Sequence, residues 1–197
     1  MKKLIALLAV LATPAAADNT ALLSEIESYL NGITTLEARI LQVSSENTFA
    51  EGTLFMERPG RMRIEYDAPS DVLLLADGEY LIYAEKINQQ ATHIRLEDTP
   101  AAYLLSPALS FEDPELQVSN LEQDAGLISL TLASAQDPDA GALTLTFTEG
   151  TELALQQWSL VDAQNVEVRV TLYDAKTGAD LDDDLFRLPD GFGEEDD

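Results

Sequence analysis

The segment Arg61-Met62-Arg63-Ile64-Glu65-Tyr66 alternates polar and apolar residues without a break. Successive side chains of an extended chain point to opposite faces, so this pattern describes a strand with one wet and one dry face. Similar runs recur at 35–47, 52–57, 71–76, 79–85, 91–97, 116–121, 126–133, 142–148, 153–161 and 166–174, which makes about eleven candidate strands. Turn-forming residues separate many of them: Arg58-Pro59-Gly60, Asp77-Gly78, Asp124-Ala125-Gly126, Glu149-Gly150 and Ala163-Gln164-Asn165. Strands so close together in sequence predict an antiparallel meander or open barrel.

Helical spacing interrupts the pattern twice. Between Asn19 and Ile33 the apolar residues fall at Leu22, Leu23, Ile26, Tyr29, Leu30 and Ile33, the three-and-four spacing of one helical face. Asn19 or Thr20 can cap the start, Gly32 sits where a helix often stops, and the length is about 20 Å. Such a helix can lie across a sheet. Residues 99–112, which include Tyr103 and Leu104, read as short helices started by proline, placed to cover the sheet beside the first helix. Residues 135–141 read as a polar turn. No repeat or long linker divides the chain, so one domain over 18–190 is expected. The fold class is mainly β (α+β).

The chain opens with Lys2 and Lys3, a short apolar run over 4–13, and Ala15-Ala16-Ala17. This is the form of a signal peptide cleaved after Ala17, so export to the periplasm is expected. No cysteine is present, which leaves no disulfide and no thiol for N-terminal lipidation. Without Lys2 and Lys3, nine basic side chains face 36 acidic ones, a net charge of −27. That charge repels phosphate backbones, so nucleic acid is not an expected partner, and it opposes self-association, so a monomer is. Glu194, Glu195, Asp196 and Asp197 end the chain as an acidic tail over 191–197. No stretch has the spacing of an EF-hand loop.

The catalytic inventory is sparse. His93 is the sole histidine, and no nucleophile elbow, P-loop or dinucleotide fingerprint occurs. One histidine and no cysteine remove the usual zinc sites, and no carboxylate pair stands out among so many acids. No enzymatic activity, metal or cofactor is expected. The scarce basic residues say more. Arg58, Arg61 and Arg63 cluster around Pro59-Gly60. Arg61 and Arg63 read as hairpin-end charges paired with nearby acids. Arg58, beside a rigid turn, can aim its five donors at carbonyls across a gap, and the C-terminal carbonyls of a covering helix are one such target.

The line Glu51-Gly52-Thr53-Leu54-Phe55-Met56-Glu57-Arg58-Pro59-Gly60-Arg61-Met62-Arg63-Ile64-Glu65-Tyr66, followed by Leu73-Leu74-Leu75-Ala76-Asp77-Gly78, resembles the LolA family of periplasmic outer-membrane lipoprotein carriers. The resemblance continues through Leu143-Thr144-Leu145-Thr146-Phe147 and Leu155-Gln156-Gln157-Trp158 to Phe186-Arg187-Leu188-Pro189. Departures are Ile64, where some members carry an aromatic, and Leu41, near which others have phenylalanine.

The resemblance implies an unclosed antiparallel barrel with a helical lid over an apolar cavity. It implies that Arg58 latches the lid by hydrogen bonds, with Leu22, Leu23, Ile26, Leu30, Tyr103 and Leu104 on the lid. Leu54, Met56, Met62, Ile64, Leu73, Leu75, Leu81, Tyr83, Leu145, Phe147 and Trp158 are expected to line the acyl cavity. The implied function is a soluble shuttle carrying acylated lipoproteins from the inner to the outer membrane. An ABC-type extractor would load it and an outer-membrane acceptor would unload it. The missing cysteine assigns this chain to the shuttle and not to the lipid-anchored acceptor. Alternatives are a carrier of other lipids such as glycolipids or hopanoids, a lipid-sensing regulatory module of the same fold, and an envelope enzyme, which the sparse inventory disfavours.

Overall fold

The computed structural model describes residues 15–162, 165–189 and 191–192, with side chains from residue 19 onward. Residues 1–14 of the expected signal peptide over 1–17 and residues 193–197 of the expected tail over 191–197 lie outside the described residues. Eleven strands form: β1 (Thr35–Ser44), β2 (Phe49–Glu57), β3 (Arg61–Tyr66), β4 (Val72–Asp77), β5 (Tyr80–Glu85), β6 (Gln90–Arg95), β7 (Leu116–Asp124), β8 (Leu127–Ser134), β9 (Gly141–Thr148), β10 (Ala154–Asp162) and β11 (Glu167–Thr177). They make one sheet in the order β6-β5-β4-β3-β2-β1-β11-β10-β9-β8-β7. Two antiparallel meanders are thus joined edge to edge where β1 pairs with β11. The edges β6 and β7 do not pair, so the barrel is unclosed. Register shifts at Glu37/Arg39, Val118/Asn120 and Leu155/Gln157 supply the local bends that let an eleven-stranded sheet curl.

Helix α1 (Ala15–Gly32) and helix α2 (Ala101–Leu105) pack on the concave face. The first begins earlier than the cap at Asn19 or Thr20 predicts. Ala15-Ala16-Ala17 are the strongest helix formers and carry the helix backwards past both capping candidates. Its end at Gly32 matches the sequence reading. On α1, Ile26 and Leu30 are buried, while Leu22, Leu23 and Tyr29 are half-buried against the core. The 99–112 region is less helical than expected. A single 3₁₀ turn (Leu96–Asp98) precedes α2, and the helix stops at Leu105. Pro107 disfavours helical geometry at the preceding residue, and Ser106 accordingly adopts φ −55° and ψ 143°.

Small residues set how closely the strands approach. A Cβ at Gly52 would stand 2.4 Å from the Glu65 carbonyl oxygen, and one at Gly60, where φ is +78°, 2.9 Å from Gly78 Cα. Backbone cannot yield as a flexible side chain can. Gly52→Ala is therefore expected to cost about 1–3 kcal/mol, read as a lower urea midpoint with unchanged slope.

The sheet is buried on both faces along β3 to β5. The concave side carries Leu54, Met56, Met62, Ile64 and Ala76 in the main core. On the convex side Leu75 pairs with Arg63 and Ile82, and Leu73 pairs with Glu65 and Ala84. Directly paired residues share a face. The C-terminal 3₁₀ turn (Asp183–Phe186) packs over the outside of β3 and β4 and buries Phe186. Arg61 lies 5.1 Å over the Phe186 ring and donates to Asp183 Oδ1 at 2.6 Å, while Arg63 Nη1 donates to the Leu185 carbonyl at 2.9 Å. Both arginines also pair with hairpin acids, Glu57 and Glu65.

Candidate functional site

Arg58 sits in the turn between β2 and β3, where its backbone N–H donates to the Thr34 carbonyl at 2.8 Å. Its side chain reaches both covering helices. Nη1 donates to the Leu30 carbonyl at the end of α1 and, at 3.5 Å, to that of Ile33. Nε and Nη2 donate to the Ser106 carbonyl at 2.9 and 2.6 Å, just past α2, and Nη2 lies 3.4 Å from Asn31 Oδ1. Ile33 and Ser106 lie past the helix ends, and Pro107 turns Ser106 out of the helix so that its carbonyl is free, while the Leu30 carbonyl also accepts the Ile33 N–H at 3.2 Å. The negative end of the α1 dipole adds attraction for the cation. Burial lowers the Arg58 pKa from its ordinary value, yet a guanidinium stays charged in a protein.

Two residues that the sequence did not single out tie the covering elements to each other. Asn31 donates through Nδ2 to the Leu109 carbonyl at 2.8 Å and accepts the Leu109 N–H at 2.9 Å, while Glu27 accepts the Phe111 N–H at 2.8 Å. The Gly60 N–H donates to the Leu105 carbonyl at 2.9 Å. Elsewhere along the helix–sheet interface, Tyr29 accepts the Leu155 N–H at 2.9 Å and meets Phe147 edge-on at 5.9 Å.

A mostly apolar cavity of about 770 Å³ opens at the end of the barrel away from Arg58. Its wall includes Val72 and Leu74 of β4, Leu81 and Tyr83 of β5, and Leu160 and Val168 across the β10–β11 hairpin. Phe49, Tyr83 and Ile94 stand at the mouth, 79%, 44% and 49% exposed. Among the polar residues that border it, which include Thr48, Ser70, Asp98 and Thr99, two form a pair across the sheet. The Tyr66 hydroxyl donates to Gln42 Oε1 at 2.6 Å, and burial pushes the Tyr66 pKa up to about 12, so the phenol remains a donor.

Of the expected lining residues, Leu81 and Tyr83 border this open space. Leu54, Met56, Met62, Ile64, Leu145, Phe147 and Trp158 lie on the same concave side but in packed core beneath the helices. Leu73 and Leu75 require correction. Pairing with Glu65 and Arg63 puts them on the convex face, under the C-terminal turn. The run Val72-Leu73-Leu74-Leu75-Ala76 is apolar throughout, as in any strand buried on both sides, so alternation could not tell which face was which. Leu74, its inward neighbour, takes the wall position. Among the expected lid residues, Leu104 is buried and Tyr103 half-buried against the core. Among the described residues no cluster of possible metal ligands occurs, and no helix is long and apolar enough to cross a membrane.

A curled sheet with two helices over its concave core and a mostly apolar hollow at the far end of that face is an arrangement suited to holding apolar ligands. The family model for "Outer membrane lipoprotein carrier protein LolA" matches residues 31–189, and the chain belongs to that family. It is 28% identical over 187 residues to an outer-membrane lipoprotein carrier protein of Pseudomonas aeruginosa, covering 90% of this chain and 88% of that one. A carrier protein of the same description from Azotobacter vinelandii is 26% identical over 190 residues, covering 91% and 89%. A crystal structure of a DUF1329 family protein from Desulfovibrio piger superposes with TM-score 0.54 at 8% identity, covering 86% of this chain and 96% of the other, a likeness of fold.

Proposed function

We propose that this protein is a periplasmic carrier that takes acylated lipoproteins from the inner membrane and delivers them towards the outer membrane, sequestering their acyl chains beneath the two helices. The observation that carries this reading is an apolar cavity on the concave side of the sheet, next to a core covered by two helices whose ends both meet one side chain, Arg58. Family membership supports lipoproteins as the cargo. An acyl chain of roughly 15 methylenes costs on the order of 12 kcal/mol to expose to water, at about 0.8 kcal/mol each. The exposed apolar mouth residues are suited to receive the tails first. The row Met62, Ala76 and Leu81 runs from beneath the helices to the cavity wall, so displacing the lid would extend the hollow along the sheet.

Arg58 would serve as the latch of a closed, empty state. Breaking it on loading consumes part of the binding energy, so cargo is held strongly enough to cross water and weakly enough to leave. Cleavage after Ala17 would release the protein by trimming three residues from α1. An ABC-type extractor and an outer-membrane acceptor are the partners this route needs. Native mass spectrometry of the protein purified from its own periplasm tests the proposal. A co-purifying acylated protein is the expected result. Free lipid as the sole occupant would reassign the protein as a lipid carrier, and a mass shift from a bound regulator alone would reassign it as a sensor.

A further inference from the structure

Gln42 and Tyr66 form a hydrogen-bonded pair that spans three strands of a mostly apolar wall. Both are half-buried, and drawing an amide and a phenol even partly out of water costs free energy that Val or Leu would avoid. Its formation depends on the strand between them. Tyr66 of β3 pairs with Gly52 of β2, and Gln42 of β1 pairs with Ala50 of β2. Ala50 and Gly52 leave the first part of the inner face of β2 nearly bare, so the phenol can lie across the intervening strand and reach Gln42 at 2.6 Å. Both residues border the cavity. The phenol uses its only proton on Gln42 Oε1, and among the described residues the two N–H donors of that amide have no acceptor. If the amide were turned the other way, the phenolic proton would be the one left over. Either way the pair keeps a donor to spare.

Resting on the carrier reading above, we infer that Gln42 and Tyr66 form a polar subsite that donates a hydrogen bond to an ester carbonyl of the bound acyl group, setting how deep the chains enter. Hydrocarbon walls fix no depth because sliding by one methylene changes little. One carbonyl seated on one donor does fix it. Esters next to long acyl chains occur both in the diacylglyceryl group of a lipoprotein and in free phospholipid, so the chemistry is shared.

Displacement of N-phenylnaphthylamine from the full-length mature protein by dipalmitoylglycerol and by its diether analogue dihexadecylglycerol tests this. Wild type is expected to prefer the ester by about five- to tenfold, one net hydrogen bond, and Gln42→Leu and Tyr66→Phe to bring the ratio close to one. Because the ratio is read within each variant, a variant of lowered stability still reports. Equal affinities for ester and ether in wild type would overturn the subsite and leave the carrier reading standing. Failure of both lipids to displace the dye would overturn the carrier reading itself, and the subsite with it. Repeating the measurement with a tripalmitoylated cysteinyl peptide and with dipalmitoylphosphatidylglycerol identifies the source, as the ligand that loses affinity in Gln42→Leu.

Discussion

Arg58→Leu is expected to give a protein that holds acyl ligands more tightly and releases them more slowly. The side chain donates to Leu30, Ile33 and Ser106, so its removal frees α1 and α2 from the β2–β3 turn together. A hydrogen bond from a charged group contributes about 1.5–3 kcal/mol, and Arg58 is only half-buried, so a figure near the low end applies. About 2 kcal/mol changes the closed-to-open ratio roughly thirtyfold. Ligand no longer has to offset that cost, so affinity rises by up to the same factor. Stopped-flow transfer of a fluorescent lipopeptide to acceptor vesicles measures the effect. Release as fast as wild type would refute the latch. Arg58→Lys should behave nearly like leucine, because one ammonium cannot span both helix ends as the planar guanidinium does.

The second large effect is expected on the other side of the sheet. Phe186→Ala should destabilise the protein by about 3 kcal/mol, because the ring fills the outer layer over β3 and β4. For a chain of this length that corresponds to a fall in Tm of roughly 6–12 °C. Leu75→Ala should cost a similar about 2–5 kcal/mol, since Leu75 is fully buried in that layer. Neither change touches the cavity wall, so the dye and lipid affinities of folded protein should stay at wild-type values. If Leu75→Ala instead enlarged the ligand-binding capacity, the assignment of this residue to the convex face would be wrong. The comparison separates residues that hold the sheet from residues that hold ligand.

The C-terminal turn also explains why Arg61 and Arg63 do more than decorate a hairpin end. Arg61 covers Phe186 and pairs with Asp183, and Arg63 holds the Leu185 carbonyl. Asp183 and Leu185 each lie 122 residues from the arginine they meet, so no local spacing could announce them. The same holds for Tyr66 and Gln42, whose contact depends on two small residues of the strand that separates them. Asn31 and Glu27 escaped notice for a related reason. On a helix wheel they are ordinary polar residues, and only the return of the chain at Leu109 and Phe111 gives them acceptors and donors to meet.

What was legible before folding was whatever short-range physics dictates. Two-residue alternation, which the pleat imposes on a strand with one dry face, together with the turns around the continuous apolar run of β4, located the eleven strands to within a few residues. Three-and-four spacing found α1, and the Arg-Pro-Gly turn placed Arg58 where helix ends could be reached. Three matters waited for the tertiary structure: the outward facing of Leu73 and Leu75, the position of the open cavity near the β10–β11 hairpin, and the joining of both helices on one guanidinium. Each depends on register and closure across strands far apart in the chain. A continuous apolar run carries no face label, and empty space belongs to no residue.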